Sequence, residues 1–153
     1  MDRRLEMARS GLATYIPPPN AALRTLAGLY GGYLKGPICL ILCGPQGSGK
    51  STFGEKLLSL SCDGSWRVLS QDAINDGKPG TREAVEVAAR DALKQNLSVA
   101  IDRMHLDATQ RSHFVQLAQD CGIPVHAVVI SPPKTVVVER VRLRTNHPGK
   151  VEG

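Results

Sequence analysis

The chain has 153 residues, 42% of them hydrophobic and 22% charged, with a formal net charge of +5. That length and balance suit one α/β domain with a real core. No apolar run approaches the ~20 residues of a membrane-spanning helix. Met1-Asp2-Arg3-Arg4-Leu5-Glu6 lacks the apolar core of a secretory signal, so an intracellular protein, nuclear or cytoplasmic, is expected.

Charge is unevenly placed. Residues 37–130 hold nine Lys/Arg and ten Asp/Glu, whereas 1–36 and 131–153 each hold five and two, so the basic excess sits at the two ends. A polyanionic partner and a plain solvated surface both account for it. The cysteines are Cys39, Cys43, Cys62 and Cys121; without C-x-x-C or zinc spacing they read as reduced structural thiols.

In chain order, residues 1–36 form an N-terminal arm. It holds the proline-rich linker Ile16-Pro17-Pro18-Pro19-Asn20, a short helix over 21–34, and the punctuation Gly31-Gly32 and Gly36-Pro37. Residues 37–153 form the second unit. Ile38–Cys43 is an apolar run with the character of a buried strand. Then comes Gly44-Pro45-Gln46-Gly47-Ser48-Gly49-Lys50-Ser51-Thr52, which satisfies G-x-x-x-x-G-K-S/T in full. Its glycines let the backbone wind tightly and aim N–H groups inward at phosphate oxygens. The helix that follows, Lys50–Ser59, adds the positive end of its dipole. Lys50 suits the β/γ-phosphates and the Ser51 hydroxyl suits Mg2+.

Strand and helix then alternate. Trp66–Leu69 reads as a second strand, and Arg82–Gln95 as a helix with Val85, Ala88, Ala89, Ala92 and Leu93 on one face. Ser98–Asp102 is a third strand. Asp107–Cys121 is a helix opened by Asp107-x-x-Gln110, similar to a capping box, with Phe114, Leu117 and Ala118 facing the core. Val125–Ile130 is a fourth strand, and a last helix runs from Ser131-Pro132-Pro133 to about Arg144. Such alternation predicts a parallel sheet flanked by helices, with chemistry gathered at the carboxyl ends of the strands.

Three places there carry candidate chemistry. Asp72, past the second strand, suits a base for an incoming hydroxyl, or an Asx turn or helix cap. Asp76, beside Gly77, reads as a turn residue. Asp102 ends the third strand, where an acid holds Mg2+ through water or positions a neighbour. Arg103 and His105 follow at the same edge as substrate contacts or orienting groups. Arg140 and Arg144 share a face of the last helix, where an arginine over the γ-phosphate stabilises transferred charge; a solvated basic face is the other account.

On Gly44–Thr52, Gln71-Asp72-x-x-Asn75, the segment Ile101–Arg111 and Arg140-x-x-x-Arg144, the chain resembles the polynucleotide kinase branch of P-loop kinases from about Ile38 onward. It is also similar to the kinase-like domains that accompany aprataxin-like domains, although no histidine-triad pattern occurs. The resemblance implies a nucleoside-kinase-like P-loop NTPase fold. It implies transfer of the γ-phosphate of ATP, with Mg2+, to the 5′-hydroxyl end of DNA or RNA in repair or processing. The implied partners are a nucleic acid end and other repair domains, fused or associated. Lys50 and Ser51 would bind phosphate and Mg2+, Asp72 would activate the hydroxyl, Asp102 matches the acid of the third strand, and Arg144 or Arg140 matches the lid arginine.

The chain departs from that pattern at Gln71 and Ala73, where the family often has Arg and Asp, and at Met104-His105, where it has Thr-Asn. The arginine that grips substrate phosphate falls near Asn75, which carries no charge. Residues 147–153 follow just past the presumed lid, where kinases of this type continue into closing helices, so a truncated domain is also expected. A small-metabolite kinase and a non-catalytic ATP-binding module are the alternatives.

Overall fold

The computed structural model describes residues 36–61, 64–104 and 107–143. The N-terminal arm over 1–35, Cys62, His105 and Arg144 lie outside the described residues.

Among the described residues, four strands and four helices alternate. They are β1 (Cys39–Cys43), α1 (Lys50–Leu60), β2 (Trp66–Ser70), α2 (Arg82–Lys94), β3 (Ser98–Asp102), α3 (Ala108–Asp120), β4 (Val125–Val129) and α4 (Lys134–Arg142). The strands pair in parallel in the order β2-β3-β1-β4. This is the parallel sheet flanked by helices that the alternation predicts.

The two central strands, β1 and β3, are buried along their whole length, while β2 and β4 are only half-buried. Central parallel strands need apolar side chains on both faces, which explains the unbroken run Cys39-Leu40-Ile41-Leu42-Cys43. Alternate side chains then divide between two cores. Leu40, Leu42 and Ala100 pack with Phe53 and Leu57 of α1. Cys39, Ile41, Cys43, Val99 and Ile101 pack on the other face with Val85 and Ala89 of α2 and Phe114 and Leu117 of α3. Each large side chain buried this way stabilises the fold by ~1.5–3 kcal/mol.

Helix starts follow local chemistry. The Thr81 hydroxyl accepts from Ala84 N–H at 3.2 Å to cap α2, and Asp107 Oδ1 accepts from Gln110 N–H at 2.7 Å to cap α3. At the far end of α2, Asn96 takes a left-handed φ of 62°, a helix-ending position that asparagine tolerates.

The strand order places the site. The chain leaves β1 toward the β2 edge and leaves β3 toward the β4 edge. Neighbouring strands whose connections diverge leave a crevice at their carboxyl ends, where open α/β sheets bind ligands.

Candidate active site

The glycine loop fills that crevice. Gly44, Gly47 and Gly49 have φ of 154°, 78° and 106°, values that side-chain-bearing residues rarely adopt. A Cβ on Gly44 would run into the Ile130 carbonyl oxygen, so close backbone approach also requires glycine there. Gly49 is the N-cap of α1 and has no side chain to offer its first turn. The helix therefore presents its leading N–H groups and its positive dipole end to the loop, an arrangement suited to phosphate.

Lys50 is 8% exposed, and its ammonium turns back into the loop. Nζ donates to the Gly44 and Pro45 carbonyls, each at 2.9 Å. Positive charge is thereby held at the mouth of the loop. Ser51 Oγ donates to Asp102 Oδ2 at 2.8 Å, joining the first turn of α1 to the end of β3. A hydroxyl and a carboxylate side by side form the hard-oxygen pair that Mg2+ accepts, with phosphate and water completing its shell. Among the described residues no three His, Cys, Asp or Glu side chains converge on a metal position. Within the loop, Gly44 and Gly47 are buried, Pro45 and Gln46 half-buried, and Ser48 is buried, while Thr52 on α1 faces outward.

Strand register sets the level of the other candidates. Leu42 pairs with Asp102, and Asp102 with Ser70. Gly44, Met104 and Asp72 each lie two residues further on, and Gly44 N–H donates to the Met104 carbonyl at 3.0 Å. Asp72 is exposed, and its backbone N–H donates to Ser70 Oγ at 3.3 Å. Its loop is closed on itself. Gly80 N–H donates to the Gln71 carbonyl at 2.9 Å and Gln71 Nε2 returns to the Gly80 carbonyl at 3.0 Å. The Asn75 amide donates to the Pro79 carbonyl at 3.1 Å and so is engaged inside this loop. Asp76 and Gly77 make its turn with φ of 52° and 82°.

Helix α4 folds back over the glycine loop. A Cβ on Gly47 would lie 2.9 Å from Val141 Cγ2 and 3.1 Å from the Val137 carbonyl. Arg140 Nη1 donates to the Gly47 and Ser48 carbonyls, each at 3.4 Å. Arg140 therefore stands at the loop; its partner candidate Arg144 lies outside the described residues.

Arg103 is half-buried beside the Asp72 loop and α2. Burial and the nearby Arg82 cation lower its proton affinity, while Glu86, Asp72 and Glu83 act the other way. Two groups near the site carry no role in the sequence reading. Arg111, with Lys50, opposes the burial that raises the Cys43 thiol, which places α3 beside the loop. Arg82 donates Nη1–H to His113 Nε2 at 3.0 Å and pairs with Glu86 at 2.9 Å. The four-residue spacing of Arg82 and Glu86 was visible in the sequence; the approach of His113 from α3 was not.

A glycine loop between a buried strand and a helix, with lysine, serine and a β3 carboxylate around it, defines a P-loop nucleotide-binding fold of the kinase-like kind. The AAA domain family profile matches residues 39–152, and the chain belongs to that family. It is 41% identical over 116 residues to the transcription factor bHLH140 of Arabidopsis thaliana, covering 76% of this chain and 12% of that protein. The fold is similar to a chain of the Pnkp1/Rnl/Hen1 complex, with a TM-score of 0.61, 21% identity, and 80% and 45% of the two chains covered. It is also similar to the Mycobacterium tuberculosis APS kinase CysC in complex with AMPPNP and APS, with a TM-score of 0.50, 19% identity, and 70% and 69% covered.

Proposed function

We propose that the chain is an ATP-dependent kinase of 5′-hydroxyl polynucleotide ends. One observation carries this reading. The Ser51–Asp102 pair stands at the carboxyl edge of the sheet, and the exposed Asp72 lies past the neighbouring strand, two residues beyond Ser70, the register partner of Asp102. A donor site and a base for an acceptor hydroxyl are the two parts phosphoryl transfer needs.

The loop N–H groups and Lys50 hold the phosphates of ATP. Ser51 and Asp102 would hold Mg2+, which when bound neutralises charge on the β- and γ-oxygens. Asp72 accepts the proton of the 5′-hydroxyl. The hydroxyl oxygen forms a bond to the γ-phosphorus as the bond from phosphorus to the bridging oxygen breaks, and ADP departs with that electron pair. Arg140, placed on the loop by α4, adds positive charge where the transferred group gains negative charge.

The acceptor is argued from the basic ends of the chain, from the sequence resemblance, and from a fold neighbour that belongs to a Pnkp1/Rnl/Hen1 complex. Nucleic acid repair or RNA processing is the setting that follows, and association with aprataxin-like or other repair domains is part of the same proposal. A small-metabolite acceptor is the second reading, since the APS kinase fold neighbour acts under that name on a small molecule.

An acceptor panel tests the reading. Labelled γ-phosphate transfer is measured to 5′-hydroxyl DNA and RNA oligonucleotides, nucleosides and sugars. Labelling of oligonucleotides above the others is expected. Labelling confined to sugars or nucleosides would overturn the polynucleotide assignment but keep the kinase, and ATP binding with no transfer to any acceptor would overturn both.

A further inference from the structure

Helix α4 meets the glycine loop at two consecutive carbonyls. Arg140 Nη1 donates to those of Gly47 and Ser48, each at 3.4 Å. The peptide bonds of the described residues are trans, so each N–H points opposite to the carbonyl of its own peptide. Holding these two carbonyls on the α4 side therefore turns Ser48 N–H and Gly49 N–H the other way. Ser48 N–H shows where that is. It donates to the Pro45 carbonyl at 3.1 Å, the same oxygen that Lys50 Nζ reaches at 2.9 Å. This is the interior of the loop, where phosphate oxygens would lie.

These two peptides need a holder. Gly47 and Gly49 flank Ser48 with φ of 78° and 106°, and glycine lets its neighbouring peptide planes turn at little steric cost. The Ser48 side chain does not fix them. Its hydroxyl lies 2.7 Å from where a Gly44 Cβ would stand, sealed from water and without a hydrogen-bond partner among the described residues. Helix α4 supplies the grip: Val137 and Val141 stand against Gly47 and bring the Arg140 guanidinium to the two oxygens. We infer that Arg140 is a positioning residue that aims the N–H groups of Ser48 and Gly49 at the nucleotide phosphates by holding the carbonyls behind them. This deepens the reading of the loop as a nucleotide site and rests on it. An arginine that worked only on the transferred group would tell a triphosphate from a diphosphate. Arg140 works on the loop, so it strengthens binding of any nucleotide whose phosphates fill it, with or without a γ-phosphate. Its charge at the transferred group acts in addition.

The test measures binding of ADP and of a non-hydrolysable ATP analogue, each with Mg2+, to the full chain. Arg140 is exposed and its two contacts are long, so the expected effect is modest. Arg140→Gln should weaken both ligands by the same factor, about 3–10-fold. Arg140→Lys keeps a charge and donors for the two carbonyls, and should recover part of both affinities. Val141→Ala loosens α4 on Gly47 without removing the guanidinium, and should leave ADP binding within about twofold of wild type. Melting temperature without nucleotide identifies a variant that fails to fold, and Arg140→Lys then decides by whether its two affinities fall together. A loss confined to the ATP analogue, or unchanged binding in Arg140→Gln, overturns the inference and leaves the nucleotide site standing. So does an equal loss of ADP binding in Val141→Ala at the same melting temperature, which would assign the effect to helix docking alone. Failure of wild type to bind either ligand would overturn the nucleotide reading and the inference with it.

Discussion

Gly47 shows how tightly single residues are constrained at this loop. Its φ of 78° disfavours any side chain, and a Cβ would meet Val141 and the Val137 carbonyl of α4. Gly47→Ala should therefore cost ~1–3 kcal/mol in urea unfolding and weaken ATP binding as α4 is pushed off the loop. His126 on β4 makes a different prediction. Burial lowers its proton affinity in the folded chain, so the unfolded chain binds the proton more readily. Stability is then full above the ordinary histidine value of ~6.5 and falls as pH drops below it, until the folded histidine also charges. Chemical denaturation at pH 7.5 and 5.5 should show this loss in wild type, and a smaller loss in His126→Gln. An equal loss in both would assign the pH dependence elsewhere. Cys39, pushed up to about 12 by burial and the nearby Cys121, is a packing thiol and should resist alkylation in the folded chain.

At the level of elements, α3 links the core to the site. Phe114 is fully buried under the sheet, and Arg111, one turn earlier, reaches the neighbourhood of Cys43. The helix starts at the Asp107 cap. Asp107→Ala should lower global stability by ~1 kcal/mol by thermal or urea unfolding, and Asp107→Asn should recover most of it. These elements were legible because their signals are local: strand runs, cap residues and the unbroken motif from Gly44 to Thr52. Boundaries moved where a side chain replaced a ladder partner. Ile38, predicted inside the first strand, gives its N–H to Ser98 Oγ at 3.1 Å, and β1 begins at Cys39. The Ser51–Asp102 contact spans 51 residues, yet it follows from register once the parallel order is known. The Arg82–His113 contact spans 31 residues and depends on how α2 and α3 lie against each other, which no spacing in the chain encodes. Spacing likewise put Arg140 and Arg144 on one helical face; only the packing of α4 put Arg140 on the Gly47 and Ser48 carbonyls.

For the whole molecule, a ligand that binds only the folded state must stabilise it. ATP with Mg2+ at ~100 times its dissociation constant should add ~2.7 kcal/mol, seen as a higher melting temperature, and Lys50→Ala should abolish the shift. The proposed kinase activity couples the nucleotide site to a hydroxyl acceptor through Asp72. The most direct measurement is the single-turnover rate of γ-phosphate transfer to a 5′-hydroxyl oligonucleotide in wild type and Asp72→Asn, with ATP affinity determined on the same samples. A loss of ~100–10,000-fold in rate with ATP affinity unchanged is the predicted result. Transfer by Asp72→Asn at the wild-type rate would rule out Asp72 as the base for the acceptor hydroxyl.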